Sequence, residues 1–215
     1  MNNYKSIAID GPAASGKSAV GEKLASKLFF HFLDTGIMYR AVTFVVIDSN
    51  IDPVEVSAFF KDSKLKIDFG QLQNKIIYRN KDITNKLFTD QVDSKVSEFS
   101  KIKAVRENLV LEQKKIAKNN NIIMAGRDIG TKVLPNSNLK IYLDASIEVR
   151  ANRRASEIGD ISTEEIKAKI ESRDIIDKNR ENSPLKIDRD AFVINTDDFD
   201  VDGVVEKIMD LYTYD

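Results

Sequence analysis

The chain has 215 residues, and its 33 lysines and arginines nearly balance its 34 aspartates and glutamates, giving a net charge of −1. That balance provides no general attraction to nucleic acid or to an anionic membrane, so neither is expected as a partner. The absence of cysteine excludes disulfides, zinc–thiolate sites and thiol nucleophiles. No apolar run is long enough for a membrane span, and the first predicted strand leaves no room for a signal peptide. We expect a cytoplasmic protein and, without an exposed apolar stripe, a monomer.

The first predicted turn carries a phosphate-binding pattern. Residues 11–18 read G-x-x-x-x-G-K-S, between an apolar strand at residues 7–9 and an amphipathic helix. Glycines let the backbone point successive N–H groups at an anion, and the helix N-terminus adds partial positive charge. Lys17 is expected on the β- and γ-phosphates and Ser18 on Mg²⁺. The residues predicted to bind a nucleoside triphosphate are Gly11, Pro12, Ala13, Ala14, Ser15, Gly16, Lys17, Ser18 and Ala19.

Between this turn and residue 118, the spacing of apolar residues changes from that of helices to that of strands and back again. Residues 30–33 predict a strand that includes His31, and Thr35 is placed to cap the next helix. A small antiparallel meander, with a turn between its first two strands, is then predicted as an insert among helices. The predicted helices cover residues 35–50, 54–61, 85–100 and 102–118, and the insert strands cover 65–69 and 75–79.

The second half of the chain alternates strands with helices, which predicts a parallel sheet flanked by helices on both faces. Thr163 is placed to cap the helix that follows a break at residues 159–160. Ligands of such sheets bind beyond the carboxyl ends of the strands. The predicted strands cover residues 122–125, 139–144 and 191–195, and the predicted helices cover 147–158, 163–182 and 201–212.

Arginines stand beside several of these strand ends. Arginine forks match phosphate oxygens, and phosphoryl transfer needs positioning and cationic stabilisation. Arg40 and Arg127 follow strands next to glycine and aspartate, so we favour a function for both. Arg150, in contrast, is interpreted as an ordinary solvated helix charge in a salt bridge.

Four segments, in this order, resemble the bacterial cytidylate kinases, the CMP/dCMP branch of the nucleoside monophosphate (NMP) kinases. They are the P-loop, residues 33–40 (LDTGIMYR), 126–131 (GRDIGT) and 173–180 (RDIIDKNR). The second and third together are far more specific than the P-loop. The resemblance covers the whole chain and implies a single α/β domain, a P-loop NTPase core with a five-stranded parallel sheet. The implied parts are the core (about 1–35, 101–152 and 183–215), an NMP-binding segment with the meander (36–100) and a helical lid (153–182).

The resemblance also implies the reaction and its residues. MgATP would donate its γ-phosphoryl group to CMP or dCMP, with Lys17, Arg127, Arg154 and Arg180 as catalytic residues. Arg153 and Arg154 would contact the ATP phosphates, while Asp34 would reach Mg²⁺ through water or only close its turn. Ser97, Arg106 and Asp128 would read the cytosine, whose edge offers one amine donor and two acceptors. The residues implied for CMP are Thr35, Tyr39, Arg40, Ser97, Arg106, Arg127, Asp128, Arg173, Asp177 and Arg180.

Some of these residues also have plain structural interpretations. Arg173 and Asp177 have the spacing of a helix salt bridge, Tyr39 would suit the core edge, and Ser97 would suit a helix surface. Two positions depart from the relatives, since Ala19 replaces a common threonine and Ala125 a common acid. Both departures concern the surroundings of the metal rather than the class of reaction.

Two other functions stay open. A P-loop also permits a regulatory NTPase switch, but the chain has no Asn-Lys-x-Asp guanine-reading motif, and its D-x-x-G sequence at residues 200–203 follows the last strand, the wrong place. The same chemistry with another acceptor, such as AMP, UMP or shikimate, is the third possibility. The set Ser97, Arg106 and Asp128 argues against it through the resemblance.

Overall fold

The computed structural model describes residues 4–69, 74–158 and 162–213. In chain order its elements are β1 (Ser6–Asp10), α1 (Lys17–Leu28), β2 (His31–Asp34), α2 (Gly36–Ser49), α3 (Pro53–Ala58), β3 (Leu65–Phe69), β4 (Asn74–Tyr78), β5 (Lys81–Asp82), α4 (Asp90–Phe99), α5 (Lys103–Lys118), β6 (Ile122–Gly126), β7 (Leu139–Asp144), α6 (Ile147–Ile158), α7 (Thr163–Asn179), β8 (Phe192–Asn195) and α8 (Val201–Thr213). A 3₁₀ turn (Thr84–Leu87) precedes α4, and a π-type turn (Ile129–Val133) follows β6.

The central sheet has five strands among the described residues, in the order β2-β6-β1-β7-β8, and every neighbouring pair is parallel. Its central strands are apolar on both faces because helices cover both. Ile7 and Ile9 pack with α1 and α8, whereas Ala8 between them points to the opposite face, toward α2 and α5. The predicted five-stranded α/β fold is confirmed.

The insert is also an antiparallel meander, as predicted, with the order β3-β4-β5. Its inward side chains Leu65, Ile76 and Tyr78 join the cluster formed by α2, α3 and α5. The insert therefore packs onto one face of the core and does not form a separate core.

Four predicted boundaries are wrong. The helix predicted over residues 54–61 already ends at Ala58. The helix predicted over residues 85–100 is interrupted before α4, because the Thr89 side chain caps that helix by accepting a hydrogen bond from the Val92 N–H at 3.4 Å. The helix predicted over residues 163–182 is α7. Its cap is Ser162 and not Thr163, and it ends at Asn179 because Arg180 has an extended backbone. The predicted turn at residues 70–73 and the break at residues 159–160 lie outside the described residues.

No helix within the described ranges combines the length and the apolar character needed to cross a bilayer. His31 lies in β2, as predicted, and is exposed there beside Phe69 of the insert, with 5.2 Å between the ring centres.

Candidate active site

Three strands end side by side at one edge of the sheet. Asp10 ends β1 and pairs in register with Gly126, which ends β6; Asp34 ends β2 and pairs with Ala125. The segments that follow are the P-loop, residues 34–40 and residues 126–131, so the parallel topology brings these three motifs together. The side chain of Ala125 packs in the core, and only its carbonyl faces this edge.

The P-loop has the tight backbone that its glycines predict. A Cβ on Gly11 would collide with the Leu143 carbonyl oxygen, and Gly16 has a left-handed φ of 88° directly before α1. Ala14 also has a positive φ, 58°, which is strained for a residue with a side chain. Strain at this turn is the kind found where a backbone is shaped around a ligand.

Lys17 is buried over this loop. Its Nζ donates to the Pro12 carbonyl at 2.5 Å and to Ser15 Oγ at 3.2 Å, and it forms no ion pair within the described residues. Burial and the nearby Arg127 hold the pKa of Lys17 well below its usual range, although Asp34 opposes them. An anion at the loop would supply the opposite charge that this ammonium needs.

Ser18 and Asp34 meet next to the lysine. The Ser18 hydroxyl donates to Asp34 Oδ2 at 2.6 Å, and the Gly36 N–H donates to Asp34 Oδ1 at 2.9 Å. Asp34 therefore supports the start of α2. Thr35 occupies the N-cap position, as predicted, but its side chain does not cap the helix, because its hydroxyl donates instead to the Ala125 carbonyl at 2.9 Å.

These two oxygen-bearing side chains fit a magnesium ion. Mg²⁺ favours oxygen ligands and usually combines one or two protein groups with phosphates and water. The described part of the chain has no cluster of three acidic, histidine or cysteine side chains that could hold a metal by itself. Ser18 and Asp34 thus suit a metal that arrives with a nucleotide.

Asp10 holds the segment after β6 and was missed by the sequence reasoning. Its two carboxylate oxygens accept the backbone N–H groups of Ile129 and Gly130 at 2.8 and 2.7 Å. This acid fixes the turn that presents Arg127 and Asp128. The sequence signal was an acid at the end of a buried apolar strand, where only a paired carboxylate is stable.

Asp10→Asn is expected to change how the free energy of unfolding depends on pH. Burial raises the pKa of Asp10 from 3.8 to about 6, although the two N–H groups oppose this. Between those values the folded chain binds more protons than the unfolded chain, so its stability falls as pH rises, by roughly 2 kcal/mol. Urea unfolding from pH 4 to 7 should show this slope in the parent and not in the variant. Asp198→Asn, at an exposed acid, is the control. An equal slope in the parent and in Asp10→Asn would contradict the prediction.

Asp177 joins two of the predicted arginines. Its Oδ2 accepts from Arg127 Nε at 2.8 Å, and its Oδ1 accepts from Arg180 Nη1 at 3.3 Å. Burial alone would raise the pKa of Asp177. The three arginines Arg127, Arg180 and Arg173 outweigh burial and hold this pKa below its usual value, so the carboxylate stays charged. Arg173 and Asp177 do not form the helix salt bridge that their spacing allows.

Arg173 is half-buried and makes no hydrogen bond or ion pair among the residues that the structure describes. Burial and Arg127 lower its pKa to about 10. Arg180 Nη2 is likewise buried without a partner. This group of arginines has hydrogen-bond donors available for an anion.

Arg106 and Asp128 form a second, deeper pair. Arg106 is 3% exposed, and its Nη2 donates to Asp128 Oδ2 at 2.6 Å while its Nε has no partner. The Arg106 guanidinium lies 5.2 Å from the centre of the Tyr39 ring, and burial raises the Tyr39 pKa to about 12. A buried donor and a carboxylate beside an aromatic ring can recognise a polar planar group.

The other predicted residues lie farther apart. Ser97 is half-buried on α4, and its carbonyl accepts from the Ser100 hydroxyl at 3.0 Å. Arg153 Nη2 donates to the Thr196 carbonyl at 2.6 Å, beyond the end of β8. Arg154 pairs with Glu157 at 2.8 Å on its own helix. The structure does not bring Arg153 to the P-loop.

Arg150 ties the P-loop to α7. It forms a salt bridge, as interpreted, but it is buried and not solvated. Arg150 Nη1 donates to Asp174 Oδ2 at 2.6 Å and to the Ala13 carbonyl at 3.1 Å, and Nε donates to the Ala145 carbonyl. Asp174 Oδ1 accepts the Ala13 N–H at 3.2 Å. Both charges are buried, so Ala13 of the P-loop is held through its N–H by Asp174 of α7 and through its carbonyl by Arg150 of α6.

Arg150→Ala is expected to lower the free energy of unfolding by about 3–5 kcal/mol, since it leaves the Asp174 charge buried and unpaired. The double variant Arg150→Met/Asp174→Leu should lose less, because neither charge remains. Urea unfolding of both variants and the parent checks this. A double variant at least as unstable as Arg150→Ala would contradict it.

Comparison with known proteins gives one consistent result. The family described as Cytidylate kinase matches residues 7–214. The cytidylate kinase of Geobacillus sp. (strain WCH70) is 39% identical over 98% of this chain and 97% of its own length. The bifunctional pantoate ligase/cytidylate kinase of Prochlorococcus marinus (strain NATL1A) is 41% identical, and this chain spans 43% of it. An uncharacterized protein from Eubacterium ventriosum, 13% identical with a TM-score of 0.57 and coverage of 99% and 100%, shares the fold alone.

Proposed function

Because the chain belongs to the cytidylate kinase family, we propose that it transfers the γ-phosphoryl group of ATP to CMP or dCMP, giving ADP and CDP or dCDP. The observation that carries this proposal is the juxtaposition of two sites at one sheet edge. The P-loop with Lys17 suits a triphosphate, and the buried pair Arg106–Asp128 beside the arginines around Asp177 suits a base and a phosphate.

The chain's own groups would act by position and charge. Lys17 would lie on the β- and γ-phosphates, and Arg127 and Arg180 would meet the transferring group together with Arg154 once the lid approaches. Arg40 and Arg127 would hold the CMP phosphate, with Arg173 and Asp177 beside the ribose and phosphate. Because the acceptor oxygen is already anionic at neutral pH, the transfer needs no strong general base.

Magnesium would be held by Ser18 directly and by Asp34 through water. When bound, it would neutralise charge on the phosphates. Because residue 19 is alanine, Ser18 supplies the hydroxyl beside Lys17, which suffices for one metal contact. The proposal also includes the core, NMP-binding segment and lid at the boundaries given above, and a monomer in the cytoplasm.

ADP formation in a coupled assay tests the proposal. With ATP and Mg²⁺, we expect fast ADP formation with CMP and dCMP and little with UMP, AMP or GMP. Preference for another monophosphate would reject the base-reading role of Ser97, Arg106 and Asp128. ADP formation that does not depend on any acceptor would instead favour a nucleotide-driven switch.

A further inference from the structure

Asp93 lies in the first turn of α4 and contacts arginines from two other parts of the chain. Its Oδ1 is 2.5 Å from Arg40 Nη2, on α2, and its Oδ2 is 4.0 Å from Arg154 Nη2, on α6. These are the arginines assigned above to the acceptor phosphate and to ATP. A carboxylate that nothing in the proposed reaction uses therefore lies between the cations of both substrates.

Arg40 is held in place without Asp93. Its Nη1 donates to the Leu87 carbonyl at 2.9 Å, and its guanidinium lies 5.0 Å from the centre of the Phe88 ring. Arg40 is 9% exposed, so it has little freedom to turn away. Removing the Asp93 charge should thus leave the arginine where it is.

The contact between Asp93 and Arg40 is close but poorly directed. Asp93 Oδ1 is buried and has no partner with hydrogen-bond geometry, despite its short distance to Arg40. A phosphate that meets a guanidinium fork in its plane makes two parallel, charge-assisted bonds. Phosphate is therefore a better ligand for this arginine than the carboxylate that now faces it.

The charge of Asp93 reaches a third arginine. The nearby cations Arg127 and Arg40 lower the pKa of Arg173, whereas the negative charge of Asp93 raises it. Asp93 thus reduces the positive potential at the place where an acceptor phosphate would arrive, and it repels that phosphate directly.

We propose that Asp93 competes with the acceptor phosphate for Arg40 and so weakens the binding of the monophosphate. The inference rests on the proposed function, because it takes Arg40 as the phosphate contact. Asp93 would then set the affinity for the monophosphate although it lies outside the four motifs, on the helix α4 that also carries Ser97. Binding of the monophosphate must separate Asp93 from Arg40 and frees Arg154 of the same carboxylate.

Asp93→Asn keeps the size of the side chain and removes its charge. By titration calorimetry on the whole chain at constant ionic strength, we expect the Kd for CMP to fall about three- to tenfold, the scale of a partly exposed ion pair. The Kd for cytidine should not change, because cytidine has no phosphate. Asp90→Asn is the matched control, since Asp90 is an exposed acid in the same turn of α4.

Equal or weaker binding of CMP by Asp93→Asn would overturn the inference, since Asp93 would then orient Arg40 or only stabilise the helix N-terminus. Tightening of CMP and cytidine alike would also overturn it. Failure of the proposed function is a separate result: the parent would form no ADP with CMP. In that case inorganic phosphate is the probe, and tighter phosphate binding by Asp93→Asn than by Asp90→Asn still supports the competition.

Discussion

Arg127→Ala is expected to lower kcat/KM for CMP by about three orders of magnitude or more, the range for an arginine that stabilises a transferring phosphoryl group. Arg127 follows β6 directly, beside Lys17, and its Nε is anchored by Asp177 at 2.8 Å. Removing it deletes the proposed phosphate contact and one of the two arginine partners of the buried Asp177 carboxylate. Most of the loss should appear in kcat, because the guanidinium matters most where charge develops.

Two further variants show whether the fork or only the charge of Arg127 matters. Arg127→Lys keeps the charge but cannot bind a phosphate and Asp177 in one plane, so we expect it to recover only a small part of the rate. Arg189→Ala is the control, since Arg189 is exposed and pairs with the adjacent Asp190. Turnover of CMP by Arg127→Ala within a few-fold of the parent would show that these roles are misassigned.

Lys17→Met is expected to lower kcat by about two to three orders of magnitude, the scale for losing one preorganised group that stabilises the transition state. The methionine fills a similar space but has no charge for the β- and γ-phosphates. Single-turnover formation of ADP measures the chemical step, and fluorescence titration with ATP measures binding. Binding should suffer less than chemistry, because the loop's backbone N–H groups remain.

Lys27→Met is the control for this variant, since Lys27 is an exposed lysine in the last turn of the same helix. A Lys17→Met protein that formed ADP at the parental rate would place the phosphates away from the P-loop.

The sequence predicted the fold well because its strands are short, apolar and regularly separated by helices. Each of the five sheet strands was predicted within one or two residues. The errors lie where a single side chain competes with the helix pattern, as at Thr89, which interrupts a predicted helix by capping the next one. Where such a helix begins depends on one local hydrogen bond, which the spacing of apolar residues does not reveal.

Two functional features escaped the sequence for a related reason. Asp10 and Asp174 look like ordinary acids in the chain, yet each accepts hydrogen bonds from backbone N–H groups more than 100 residues away. Arg150 has the spacing of a helix surface charge and is buried only because α7 packs against α6. Contacts between distant segments have no signature in the local pattern.

By itself, the sequence determined the class of fold and the four motifs, the P-loop among them, because these depend on residue type and short-range spacing. The tertiary structure decided which side chains share a charge. It joined Asp177 to Arg127 and Arg180 and not to Arg173, and it placed Asp93 against Arg40. The physical reason is that ion pairs in a buried site form between whichever charges the packing of helices brings within a few ångströms.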